Sequence, residues 1–118
     1  MRNFNLVDHV YKNGFIFLHW TPDEIIKYAD KNSLAFEIEE WQWGFCYNIW
    51  ADCYIWIREL KLWDLVHECI HATQMAMKHR WVSTDEHNTE ITAYHTQWLF
   101  EEATNFYLKC FNNKKTRN

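Results

Sequence analysis

Near Arg58 this chain of 118 residues passes from short strand-like apolar runs to a helical apolar spacing that persists, and that change limits the possible folds. Before it, residues 15–18, 43–50 and 53–58 are short runs of aromatic and β-branched residues, which favour strands. After it, apolar residues recur at helical spacing almost to the C-terminus. Because the chain has only 2 Gly and 1 Pro, sharp turns are few and a many-stranded sandwich is disfavoured. We therefore predict an α+β fold, with a small and at least partly antiparallel sheet.

Three helices are predicted in a single domain that spans residues 1–118. Thr21, Pro22 and Glu24 form a capping-box signature, so the first helix should run over residues 22–31. The second should cover about residues 60–79. The third should cover about residues 86–111, after a polar break at residues 80–85, and the basic tail 112–118 should be frayed. The residues that the first and third helices should bury are Ile25, Ile26, Ala29, Ile91, Trp98, Leu99, Ala103 and Phe106.

Composition and charge exclude several classes of protein. The formal net charge of −4 gives no electrostatic case for nucleic-acid binding, and no run of 18 apolar residues indicates a membrane span. No leader-like segment follows Met1, so we expect a soluble, cytoplasmic protein. The four cysteines include no CxxC pair, which disfavours a thiolate zinc ribbon. Cys46 and Cys53 could face each other across a hairpin, but we expect reduced, buried thiols.

The second predicted helix contains the pattern His67-Glu68-x-x-His71. Residues four apart lie on one face of a helix, so the two imidazoles can bind one Zn²⁺ with the glutamate beside them. A third protein ligand is then needed, and the third helix offers two candidates. Glu90 follows His71 after 18 intervening residues, and His87 lies one turn before Glu90. Cys69 lies between the histidines but points away from their face, so we interpret it as a packing residue.

His67, Glu68 and His71, followed after 18 residues by Glu90, resemble the gluzincin arrangement of thermolysin-like and aminopeptidase-like zinc peptidases. Together with Ala93 and Tyr94, they also resemble small predicted metallopeptidases of phages and prophages. The resemblance covers about residues 52–108. It implies a minimal zincin-like domain, in which the sheet packs on the HExxH helix and on a long C-terminal helix.

The same resemblance implies roles for individual residues. His67, His71 and Glu90 would be the Zn²⁺ ligands, and Glu68 would be the general base. An upstream strand would pair with an extended substrate. Tyr94 stands where larger gluzincins commonly have an acidic residue, and we treat it as a second catalytic candidate. A transition-state donor would have to be local, and the candidates are Tyr94, His87 and His95.

These residues predict a zinc-dependent metallopeptidase, a hydrolase that cleaves a peptide bond in a protein or peptide substrate. If the chain is phage-encoded, it would act in the host cytoplasm. Two alternatives stay open: a non-enzymatic, phage-type interaction factor on a zincin scaffold, and a structural zinc site closed by a fourth ligand such as His87. A second copy of the chain, in a homodimer, could complete a cleft that one chain lacks.

Overall fold

Two pairs of strands flank a single helix in the N-terminal half of the fold, and two long helices follow. The computed structural model of the protein describes residues 2–8, 12–34, 38–39, 42–49, 51–82 and 89–116. The predicted α+β class is confirmed. In chain order the described elements are β1 (Arg2–Val7), β2 (Gly14–His19), α1 (Pro22–Lys31), β3 (Gly44–Ile49), β4 (Asp52–Ile57), α2 (Leu62–His79) and α3 (Thr89–Thr116).

The described strands form one mixed sheet in the order β1-β2-β4-β3. β1 pairs antiparallel with β2, and β3 pairs antiparallel with β4, so the prediction of a partly antiparallel sheet is confirmed. The central pair, β2 and β4, is parallel, with Phe15 opposite Cys53 and Phe17 opposite Ile55. β1 and β3 are therefore the edge strands of this sheet.

The two faces of the sheet are covered by different helices. Alternate residues of β2 point to opposite faces, as they do in any strand. Phe15 and Phe17 belong to a buried cluster with residues of α2 and α3, whereas Leu18 belongs to a second cluster with Ile25 and Ala29 of α1. α1 therefore covers one face of the sheet, and α2 and α3 cover the other.

The helix bounds follow the predictions closely, with local differences. The capping box of α1 is formed at Thr21 and Glu24, and α1 has the predicted bounds. α2 begins at Leu62, two residues later than predicted. α3 continues to Thr116, five residues beyond the predicted end at residue 111. Buried Tyr107 and Cys110 anchor the preceding turns.

Two predicted core residues are exposed instead. Ile26 points away from the sheet because the buried stripe of α1 is formed by Ile25 and Ala29. Ile91 is exposed because the fully buried stripe of α3 begins at Leu99. Strand β1 was not predicted, because it contains few apolar residues and they are separated by polar ones. The predicted third-helix start at residue 86, with the caps Ser83 and Thr84, lies outside the described residues.

The cysteines are free thiols, and Cys46 is the one that is only partly buried. Its Sγ lies 2.9 Å from that of Cys53, so these two thiols approach each other across the β3–β4 hairpin. Cys69 is fully buried against the sheet, in agreement with a packing role. Among the described residues, no helix combines the length and the apolar character that a membrane crossing requires.

Candidate metal centre

The two histidines of the HExxH pattern converge on the exposed side of α2. Leu65, Cys69 and Ala72 face the sheet and are fully buried, which turns His67 and His71 toward solvent. The Nε2 atoms of the two imidazoles lie 3.1 Å apart, in hydrogen-bonding contact. Two nitrogen ligands at about 2.05 Å from a tetrahedral Zn²⁺ would be about 3.3 Å apart. The separation therefore fits a pair of ligands to one ion, with only a small movement of either ring.

Glu68 lies beside the pair, but it is buried. Its ligand oxygen and the two imidazole nitrogens all lie within 4.8 Å of one another. Only 7% of the Glu68 side chain is exposed, and its Oε2 has no hydrogen-bond partner in the described structure. Burial raises the pKa of the Glu68 carboxyl; His67 opposes this rise and Asp64 adds to it. A buried acceptor without a partner is costly, so its presence here requires an explanation.

The burial of Glu68 results from the close approach of β3 to α2. A Cβ added to Gly44 would lie 3.4 Å from Cγ of Glu68 and 2.7 Å from the carbonyl oxygen of Trp56. The close contact of an added Cβ is therefore with β4, whereas its distance to Glu68 would be an ordinary van der Waals contact. Gly44 thus lies directly against both the neighbouring strand and the glutamate of the HExxH helix.

A small cleft of about 190 Å³ opens between the start of β3 and the N-terminal half of α2. Its lining consists of Gln42, Trp43, Gly44, Asp64, His67 and Glu68. Of these six residues, only His67 and Glu68 were predicted to belong to the site. One signal was available for Asp64, which precedes Glu68 by four residues and so lies on the same helical face. Nothing in the sequence indicated that the strand residues 42–44 would meet this helix.

The free edge of β3 borders the same cleft. The N–H of Arg58 donates to the carbonyl of Trp43 at 2.8 Å, which makes Trp43 and Arg58 a hydrogen-bonded antiparallel pair. Because such pairs alternate along the strand, the backbone N–H and C=O of Gly44 point outward, away from β4. The side-chain amide of Gln42 donates to this outward carbonyl at 3.0 Å. β3 thus presents an organised backbone edge beside His67 and Glu68.

The predicted third ligand is not part of the observed group. Glu90 is exposed at the second residue of α3, and the group of close ligand atoms contains His67, Glu68 and His71 without it. Its competitor His87 lies outside the described residues. The structure therefore brings together the three predicted site residues that lie on α2. The ligand role of Glu90 stays a prediction.

The predicted catalytic candidates on α3 have different environments. Tyr94 is 67% exposed. His95, considered as a transition-state donor, is engaged at both ring nitrogens: Nε2 contacts Oδ2 of Asp8 at 2.7 Å and Nδ1 contacts Oγ1 of Thr73 at 2.8 Å. Burial lowers the pKa of His95, and Asp8 opposes the shift. A neutral ring would donate from Nε2 to Asp8 and accept from Thr73 at Nδ1. This network joins α3 to α2 and to the end of β1.

Comparison with known proteins adds no family to this picture. We find no match to the chain among protein-family models, curated proteins or solved structures. The likeness to gluzincins therefore depends on the residues that carry it.

Proposed function

We propose that this protein is a zinc-dependent metallopeptidase. One observation carries the proposal: two imidazole nitrogens meet at 3.1 Å on the exposed side of α2, next to the buried and unpartnered carboxylate of Glu68. Neither a structural zinc site nor a binding scaffold needs a glutamate held in that position. A buried carboxylate without a partner is the costly type of group that proteins keep at functional sites.

The chemistry would be divided among a few residues. His67 and His71 would hold the ion, with Glu90 as the expected third ligand. A bound Zn²⁺ supplies a Lewis acid that polarises a carbonyl and acidifies water. Glu68 would accept a proton from the attacking water and deliver it to the leaving amine. Because burial raises the pKa of Glu68, this carboxylate is a stronger base than a solvated glutamate.

The surroundings of the histidines support a peptide as the substrate. His67 and His71 are exposed, so a substrate can reach the ion from the solvent side. The outward N–H and C=O of Gly44 offer one pairing position to an extended backbone, if that backbone displaces the amide of Gln42. An edge strand beside the catalytic group is what the cleavage of an extended peptide requires.

Metal analysis tests the ligand set. Purified wild-type protein should bind one equivalent of zinc, and His67→Ala and Glu90→Ala should each lose most of it. His87→Ala should retain the metal, and Glu59→Gln, which removes an exposed charge, serves as the control. Full zinc retention by Glu90→Ala, with loss in His87→Ala, would assign the third ligand to His87.

Turnover of a peptide mixture tests the role of Glu68. Glu68→Gln should bind zinc as the wild type does and hydrolyse peptides about 10²–10⁴-fold more slowly, the usual contribution of a general base. If wild type and Glu68→Gln bind zinc equally and neither cleaves any peptide, the site is structural or serves an interaction. Cleavage by Glu68→Gln at the wild-type rate would contradict the assignment of the base.

A further inference from the structure

We propose that Asp64 selects substrates that carry a positive charge beside the scissile bond. This inference rests on the proposed function, because it names the kind of group that enters the cleft next to His67 and Glu68. The charge would be a protonated amine, either the α-amino group of the substrate or the end of a basic side chain.

The cleft contains two carboxylates and no cationic lining residue. Asp64 and Glu68 both line it, and they are four residues apart on α2, hence on one helical face. Neither forms an ion pair or a hydrogen bond through its carboxylate with another described residue. Asp64 is half-buried and Glu68 is buried, so water screens their charges incompletely. With an ion held at His67 and His71, Glu68 would serve that ion, and Asp64 is the carboxylate of the lining left for a cationic group of the substrate.

Lys61 lies against a wall of the cleft without an ion pair to either carboxylate. Nζ of Lys61 lies 3.7 Å from the centre of the Trp43 ring, so the lysine interacts with the indole. Trp43 is 44% exposed and forms a side wall of the cleft. The indole of Trp43 can likewise contact the aliphatic stem or the ammonium group of a substrate side chain.

The size of the cleft limits what it can hold. At about 190 Å³ it is smaller than the roughly 300–1,000 Å³ of typical ligand pockets. It therefore accommodates one terminal amine or one side chain, with the rest of the peptide lying along β3. Glu68 lies in the wall of the same cleft, and its buried Oε2 has no hydrogen-bond partner among the described residues.

A structural explanation of Asp64 makes a different prediction. Asp64 lies in the first turn of α2, where a carboxylate stabilises the helix dipole. Under that explanation Asp64→Asn changes stability but not ligand selection. Selection and stability can be measured separately.

The first experiment measures binding and needs no turnover. The probes form two matched pairs: leucine amide against N-acetyl-leucine amide, and N-acetyl-lysine amide against N-acetyl-norleucine amide. Binding is followed by NMR at the indole N–H of Trp43, which is assigned with Trp43→Phe. We expect the wild type to bind at least one cationic probe about tenfold more tightly than its neutral counterpart. The pair that shows the preference identifies the source of the amine.

The variants decide the role of Asp64. Asp64→Asn should abolish the preference, whereas Asp64→Glu should restore it and Glu59→Gln should leave it unchanged. Thermal unfolding verifies that each variant is folded. Equal binding of cationic and neutral probes to the wild type would overturn the proposal, as would a preference that survives in Asp64→Asn.

The second experiment separates this inference from the proposed peptidase activity. For peptides that the wild type cleaves, Asp64→Asn should lower kcat/KM about tenfold for cationic substrates and leave neutral ones unchanged. A wild type that cleaves nothing, but binds cationic probes through Asp64, would refute the peptidase and retain the cation site. Cleavage that does not depend on Asp64 would refute the cation site and retain the peptidase.

Discussion

Replacing Glu68 with glutamine should make the metal-free protein more stable at neutral pH. The side chain of Glu68 is 7% exposed and its Oε2 lacks a partner, so the folded state bears the desolvation of a carboxylate. Leaving a buried polar group unpaired costs about 1–3 kcal/mol, and more when the group is charged. Glutamine has nearly the same shape without the charge. We therefore expect the free energy of unfolding to rise by about 1–2 kcal/mol.

The pH dependence of that gain identifies its cause. Burial is the main reason that the pKa of Glu68 is raised in the folded protein. Below about pH 4.3, the ordinary pKa of a glutamate, the carboxyl is protonated in both states and wild type and variant should be equally stable. As the pH rises through the raised pKa, the wild type ionises at a cost that the variant avoids. The difference should therefore appear above pH 4.3 and then reach a plateau.

Urea unfolding with a chelator present, monitored by tryptophan fluorescence at pH 4 and pH 7.5, measures both quantities. A gain of 1 kcal/mol also corresponds to a rise in Tm of roughly 3–5 °C for a chain of this size. Glu59→Gln is the matched control, because it removes an exposed charge next to α2 and should change stability by less than about 0.5 kcal/mol. A Glu68→Gln protein that is no more stable at pH 7.5, or that keeps its gain at pH 4, would refute the reasoning.

Three further predictions concern stability. Trp81 lies just after α2, is 96% exposed and has a φ of 60°, in the left-handed region that favours glycine. Trp81→Gly should therefore raise the free energy of unfolding by about 1 kcal/mol. A lower Tm would contradict this. Gly44→Ala should lower the free energy of unfolding, measured with urea, by about 1–3 kcal/mol, because its Cβ would lie 2.7 Å from the Trp56 carbonyl oxygen. A variant as stable as the wild type would show that β3 can shift at no cost. Burial lowers the pKa of His95, although Asp8 opposes the shift, so the wild type should lose stability as the pH falls from about 6.5 through the lowered value. His95→Gln should flatten the Tm profile between pH 7 and pH 5, and an unchanged slope would exclude His95 as its source.

The features that the sequence predicted well are local ones. The bounds of α1 follow from Thr21, Pro22 and Glu24, since a capping box involves residues within one turn. The approach of His67 to His71 follows from a spacing of four residues on a single helix. In both cases the interacting groups are so close along the chain that secondary structure alone brings them together.

The remaining features depend on which elements pack together. Strand β1 escaped prediction because an edge strand needs only a few apolar residues, here Phe4 and Leu6, to contact the core. Ile26 and Ile91 were wrongly assigned to the core because helical spacing identifies an apolar stripe without showing where its neighbours end.

At the candidate site, sequence alone determined that two imidazoles and a carboxylate share one stretch of helix. The tertiary structure decided what that stretch encounters. The passage of β3 across α2 at Gly44 buries Glu68, forms the cleft and places Trp43 and Gln42 beside Asp64. A third ligand from α3 depends likewise on how two helices are placed relative to each other. These contacts join residues distant along the chain, and the packing of the whole sheet, more than any local pattern, sets their geometry.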